Sequence, residues 1–232
     1  MFEQPRIAPS ILSADFLHLQ DQIELIEEAG AGFIHVDVMD GHFVPNLTIG
    51  VPIVKQLAKI ARIPLDVHLM IENPLRELPW FIDAGANMVT MHIEAFENED
   101  EVYKALEMAH DAGVGAALSV RPKTPVSALV PYIEQLDMAL IMSVEPGFSG
   151  QSYIAGSEDK VAQLAKEAKR ANVSPLIQID GGIGLSTVAL SARAGADVFV
   201  CGNAVYGAQD PAFALREIEN AAKFAQREVL GK

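Results

Sequence analysis

Short β-branched and aliphatic runs alternate with stretches of helical period from one end of this chain to the other. The apolar runs predict eight strands, at 6–12, 33–38, 64–70, 88–93, 115–120, 138–144, 176–179 and 198–201, each followed by a helical stretch. In the stretch 15–29, Phe16, Leu19, Ile23 and Ile26 fall at i, i+3, i+7 and i+10, one buried face of an amphipathic helix. Stretches 101–112, 160–171, 186–194 and 211–226 read the same way. Three helices end in one signature, Ala29-Gly30-Ala31, Ala84-Gly85-Ala86 and Ala194-Gly195-Ala196. Glycine just past the last turn is a helix stop, and each next strand starts about three residues on.

Eight such units in 232 residues repeat about every 29 residues, with no linker or low-complexity segment. That predicts an α/β fold of one domain over 1–232, a single (β/α)8 TIM barrel of parallel strands. A doubly wound open sheet would place its Gly-rich phosphate loop after the first strand, whereas here the glycines cluster late. Half of the residues are hydrophobic, enough for a sizeable core, but no apolar run approaches the roughly 18 to 20 residues of a membrane span. Residues 1–9 carry Glu3, Pro5 and Arg6 where a secretory signal would have a basic and then a long apolar segment. Cys201 is the only cysteine, which excludes an internal disulfide and fits a cytoplasmic setting. A net charge of −14 argues against nucleic acid as partner. An anionic substrate would then be held by local backbone N–H groups and helix N-termini rather than by a basic surface. The expected partner is a small molecule, the expected assembly a homo-oligomer.

In a barrel, chemistry gathers where strands end. His35, Asp37 and Met39 share parity on the second strand, so they point to one side. His68 shares parity with Asp66 and Met70 on the third, and Asp180 follows Gln178 by two at the end of the seventh. His35, Asp37, His68 and Asp180 thus form a candidate site for one divalent ion per chain. Imidazole plus carboxylate suits Zn²⁺, Fe²⁺, Mn²⁺ or Co²⁺ better than Mg²⁺ or Ca²⁺. His92 ends the fourth strand without a comparable cluster and is read as structural, His18 and His110 as solvated. Asp40, Gly41 and His42 are read as shaping the loop after the second strand.

Three late loops suit a phosphate: Pro146-Gly147-Phe148-Ser149-Gly150, Asp180-Gly181-Gly182-Ile183-Gly184 and Gly202-Asn203-Ala204. Glycine lets backbone N–H groups approach an anion, and the last two loops fall after strands seven and eight, the usual phosphate position of this fold. The polar loop after strand six is placed to close over a substrate. Met39, Met70 and Met142, near strand ends, are either core filler or the polarizable lining of the reacting carbons.

Residues 8–15 (APSILSAD), 35–46 (HVDVMDGHFVPN), 66–70 (DVHLM), 142–148 (MSVEPGF) and 179–183 (IDGGI) together resemble the ribulose-phosphate 3-epimerase family, in order and over nearly the whole chain. The resemblance implies a (β/α)8 barrel interconverting D-ribulose 5-phosphate and D-xylulose 5-phosphate in the pentose phosphate pathway. It implies that His35, Asp37, His68 and Asp180 bind the metal, with Asp37 as proton acceptor and Asp180 as proton donor. Ser10 and His68 would contact the sugar. Gly147, Phe148, Ser149, Gly150, Gly181, Gly182, Gly202 and Asn203 would hold the phosphate end. Ser149 stands where the family usually has glycine and Asn203 where serine is common, which bears on the phosphate grip. Gln178 replaces a frequent acidic residue, which bears on the tuning of Asp180.

Inverting a carbon beside a ketone requires a proton to leave one face and another to arrive on the other, so one carboxyl per face suffices. A dication stabilises the enediolate formed in between. The rivals are an allulose-6-phosphate 3-epimerase, a phosphate-binding barrel decarboxylase or aldolase, and a non-catalytic sugar-phosphate-binding barrel. The second needs a strand-end lysine that His35-Val36-Asp37 does not offer, and retention of both aspartates argues against the third.

Overall fold

The computed structural model describes residues 5–231, so the reading of 1–9 as lacking a secretory signal lies partly outside the described residues. Its strands are β1 (Arg6–Pro9), β2 (Ile34–Met39), β3 (Leu65–Met70), β4 (Met88–His92), β5 (Gly115–Val120), β6 (Met138–Met142), β7 (Leu176–Asp180) and β8 (Val198–Cys201). All pair in parallel in the order β1-β8-β7-β6-β5-β4-β3-β2. The ring closes between β1 and β2 through the Ser10–His35 bridge, beside a Gly32 N–H to Ile7 C=O bond of 2.9 Å. The helices are α1 (Leu19–Ala29), α2 (Val51–Ile60), α3 (Pro74–Ala84), α4 (Glu99–Asp111), α5 (Ser157–Arg170), α6 (Val188–Ala194), α7 (Asn203–Tyr206) and α8 (Pro211–Leu230). Among the described residues no helix is long and apolar enough to cross a membrane.

Strand alternation divides the burial in two. Outward positions such as Ile34, Val36, Leu65, Val67, Ile141 and Phe199 pack against helix residues Ile23, Ile26, Leu78, Leu106 and Leu164 in one large apolar cluster. Each fully buried side chain of this kind contributes about 1.5–3 kcal/mol. Inward positions make a second, small apolar floor of Ala8, Phe33, Met88, Ala117, Met138 and Val198. Above that floor the barrel interior carries a polar layer, in which His35, Asp66, His68, Thr90, His92, Ser119 and Gln178 are all fully buried.

The three glycine stops hold. Gly30, Gly85 and Gly195 take φ of 99°, 101° and 109°, left-handed values that a side chain would resist. The alanine after each donates its N–H back into the last turn, to Ile26, Phe81 and Ser191. Four expectations are corrected. β1 stops at Pro9, and Ile11–Ser13 is a 3₁₀ turn under the Ser10 cap. The 15–29 helix splits, because Asp15 caps a separate 3₁₀ turn at Phe16–His18 and leaves Phe16 49% exposed instead of buried. No α-helix follows β5; Pro122, Pro125 and Pro131 withhold N–H groups, and Val126–Ala128 and Val130–Gln135 form 3₁₀ turns instead. α6 starts at Val188 rather than 186, since the Gly184 N–H is taken by Thr187 Oγ1.

Candidate active site

Pairing of β2 with β3 sets His35 beside Asp66 and Asp37 beside His68, and β7 ends on Asp180. One ligand atom from each of His35, Asp37, His68 and Asp180 lies within 4.8 Å of the others. His35 Nε2 is 3.3 Å from Asp37 Oδ1 and 4.0 Å from Asp180 Oδ2. His68 Nδ1 is 3.2 Å from Asp37 Oδ1 and 3.9 Å from Asp180 Oδ2. Such spacings suit ligands about 2.0–2.2 Å from one ion. His35 Nε2 is buried without a hydrogen-bond partner, an orphan that a cation would satisfy. Two nitrogens and two carboxylates therefore fit a divalent metal.

Each imidazole is held from behind, as metal-ligating histidines generally are. His35 Nδ1 donates to Asp66 Oδ2 at 2.8 Å, and Asp66 also accepts from Gln178 Nε2 at 2.6 Å. His68 Nε2 lies 3.0 Å from His92 Nε2, and His92 Nδ1 lies 3.2 Å from Glu94 Oε2. Ser10 Oγ donates to Asp37 Oδ2 at 2.5 Å.

The two aspartates are driven apart. Burial opposes ionisation of Asp37, but His35 and His68 outweigh it and hold the carboxyl well below its usual range. Asp180 faces the same burial plus the negative charge of Asp37, and is pushed up to about 6. Two neighbouring carboxyls whose surroundings push their proton affinities apart are suited to act as an acid–base pair. His35 is raised well above its ordinary value: burial lowers it, and the facing Asp37 and Asp66 more than reverse that.

Above this cluster opens a cavity of about 240 Å³. Ser10, Asp37 and Asp180 line its floor together with Met39, Met70 and Met142. Gly147, Phe148, Ser149 and Gly150 of the β6 loop line it, as do Gly181, Gly182, Gly202 and Asn203. The β6 loop is tied down by Asn46 Nδ2 to Gly147 C=O at 2.8 Å and by a Ser13–Ser149 hydroxyl contact of 2.5 Å. A Cβ at Gly181 would meet Val144 at 2.5 Å, and one at Gly182 would meet the Tyr153 backbone at 2.3 Å, so only glycine fits that turn. His35 and His68 lie below the lining, fully buried. His68 itself meets Asp37, Asp180 and His92.

The model of the ribulose-phosphate 3 epimerase family matches residues 6–206. The chain belongs to the ribulose-phosphate 3-epimerase family. It is 46% identical over 218 residues to ribulose-phosphate 3-epimerase of Mycobacterium tuberculosis, covering 94% of this chain and 93% of that one. With the Bacillus subtilis protein of the same name it shares 42% over 217 residues, 93% and 99% of the two chains. Among solved structures it is similar to KGPDC from Streptococcus mutans (TM-score 0.71, 13% identity, 96% and 99% covered). It is also similar to 3-hexulose-6-phosphate synthase from Salmonella typhimurium (TM-score 0.68, 18% identity, 94% and 98% covered). At those identities the likeness shows the barrel fold alone.

For this member of the epimerase family, sequence reading missed three supporting side chains. Asp66, His92 and Glu94 hold the two histidines; parity turns Asp66 and His92 inward, but their pairing with His35 and His68 depends on register between strands. Gln178 donates to Asp66, so it acts on the His35 anchor and reaches Asp180 through Asp66, whose charge is among those that raise it. Asp40 does shape its loop, accepting from the His42, Phe43 and Glu72 N–H groups, with Gly41 at φ 76°.

Proposed function

We propose that this chain interconverts D-ribulose 5-phosphate and D-xylulose 5-phosphate by exchanging the C3 proton between two carboxyls. The observation that carries the reading is the pair Asp37 and Asp180 on the floor of a single cavity, the first carboxyl held well below its usual range and the second pushed up to about 6. Asp37 accepts the proton from one face of the sugar, and Asp180 supplies one to the other; the reverse reaction exchanges the roles. His35, Asp37, His68 and Asp180 would hold one Zn²⁺, Fe²⁺, Mn²⁺ or Co²⁺. When bound, it would supply Lewis-acid stabilisation of the enediolate charge. Ser10 orients Asp37 and faces the sugar, while Met39, Met70 and Met142 exclude water from the reacting carbons. Backbone N–H groups of Gly147–Gly150, Gly181, Gly182, Gly202 and Asn203 hold the phosphate, closing the far end of the cavity.

The selective test is kcat/KM for D-ribulose 5-phosphate against D-allulose 6-phosphate, with each metal added back to chelated protein. The five-carbon sugar should win by about 10²-fold, the cost of small misplacements at a reacting centre. A better six-carbon substrate would move the chain to allulose-6-phosphate epimerisation. Full activity in verified metal-free protein would remove the metal from the reading. We place the chemistry in the cytoplasm, on the single buried thiol Cys201, and expect a homo-oligomer. A monomer in sedimentation equilibrium at assay concentration would remove the latter.

A further inference from the structure

We propose that His92 and Glu94 are positioning residues that fix which nitrogen of His68 faces the metal. The proposal rests on the reading of His35, Asp37, His68 and Asp180 as a metal site. β4 lies beside β3, with Thr90 opposite His68, so His92 ends one inward step above it. The His68 and His92 rings stack at 5.0 Å and 28°, with Nε2 facing Nε2 at 3.0 Å. Two facing imidazole nitrogens can share only one proton, so one must donate and the other accept. Which does so is decided at the far end.

Glu94 receives the Arg121 N–H at 2.8 Å and the Thr124 hydroxyl on Oε1, and its Oε2 faces His92 Nδ1 at 3.2 Å. An ionised carboxylate only accepts, so His92 must carry its hydrogen on Nδ1. A neutral His92 then offers Nε2 as an acceptor, and His68 carries its hydrogen on Nε2. With an ion held among the four ligands, that leaves the His68 Nδ1 lone pair for the ion, on the side where Asp37 Oδ1 and Asp180 Oδ2 lie 3.2 and 3.9 Å away. His92 cannot readily turn: Phe43 packs on it at 4.9 Å, and the Arg121 guanidinium lies 4.1 Å over Phe43. Neither His92 nor Glu94 lines the cavity above the metal cluster, which separates this role from sugar binding. His35 reaches the same end through one carboxylate, Asp66. His68 needs two residues because a second imidazole stands between it and its anion.

The test uses the full chain with isotope-labelled histidine nitrogens near neutral pH, and Zn²⁺ affinity measured by chelator competition. In the Zn²⁺-loaded wild type, His68 should show the Nε2–H tautomer. His92→Leu should weaken Zn²⁺ binding about 10- to 100-fold, the usual cost of losing an outer partner. His92→Gln, whose amide oxygen can take the His68 proton, should recover most of that loss. Glu94→Ala, one hydrogen bond further out, should cost about three- to tenfold. An Nδ1–H tautomer at His68, wild-type affinity in His92→Leu, or a glutamine variant as weak as the leucine one would overturn the proposal. Should His92→Leu fail to fold, the wild-type tautomer and the Glu94→Ala affinity decide. A wild-type chain without Zn²⁺ affinity would instead sink the metal reading on which the proposal rests, whereas a wrong tautomer in the loaded chain sinks the proposal alone.

Discussion

The same eight strands serve two regions that are held by different physics. On their outer faces, Ile34, Val36, Leu65, Val67 and Ile141 meet the helices through apolar contact alone. On their inner faces, His35, Asp66, His68, His92 and Gln178 meet one another through hydrogen bonds of 2.6–3.0 Å. Apolar burial is non-directional and roughly proportional to area, so the outer region tolerates substitutions that keep volume and pattern. Hydrogen bonds need angles and partners, and removing one partner leaves the other buried and unsatisfied. Stability is thus concentrated outside the barrel and chemical placement inside it, on alternate residues of the same segments.

The largest expected effect comes from the inner region. Asp37→Asn and Asp180→Asn should each lower kcat by about 10²- to 10⁴-fold, the usual worth of a general acid or base. Deuterium washout from C3 of each epimer would separate them, Asp37→Asn blocking one and Asp180→Asn the other, with metal content measured alongside. Near-normal turnover in either variant would make that carboxylate structural. Leu78→Ala, in the fully buried outer cluster, should instead cost about 2–5 kcal/mol of stability while Zn²⁺ affinity stays unchanged. Urea unfolding and chelator competition on one sample read both, and a parallel loss of affinity would mean that the two regions are not separable.

The smallest effect is a pH dependence at the rim of the inner region. Burial raises Glu94, but His92, Thr124 and the Arg121 N–H outweigh it and bring the carboxyl down to about 2 from 4.5. A folded pKa below the unfolded one contributes stability that is full above 4.5 and is lost as pH falls toward 2. The denaturation midpoint of the wild type should therefore fall more steeply than that of Glu94→Gln across this window. Equal slopes would show that the carboxylate does not gain its partners on folding.

What could be read from the sequence divides along the same line. Strand and helix alternation, the three glycine stops and the grouping of His35, Asp37, His68 and Asp180 all follow from period and parity. The partners behind the histidines do not, because they depend on register between strands. Nothing local to Thr90-Met91-His92 says that His68 will stand beside it, and Gln178 reaches Asp66 across 112 positions of chain. Prolines 122, 125 and 131 are a visible signal against a helix after β5, and they override the strand–helix alternation there. Phe16 misled for a different reason: it fits the helical period of Ile23 and Ile26, but Asp15 ends that period with a local cap.

The glycine stops also act as a gauge of depth. Counted from Gly30, Gly85 and Gly195, the fifth residue is His35, Thr90 or Val200, and the seventh is Asp37, His92 or Gly202. The first three stand at inward positions within the barrel, and the second three at its mouth, where they meet the ion site, its support and the anion loop. Each helix thus hands the next strand a fixed zero, and chemistry is dealt out by counting from it. One residue inserted between Gly30 and His35 would turn the histidine and the aspartate to face the helices together, although every side chain would still be present. Changing a residue type edits one contact; changing a length re-addresses the whole strand.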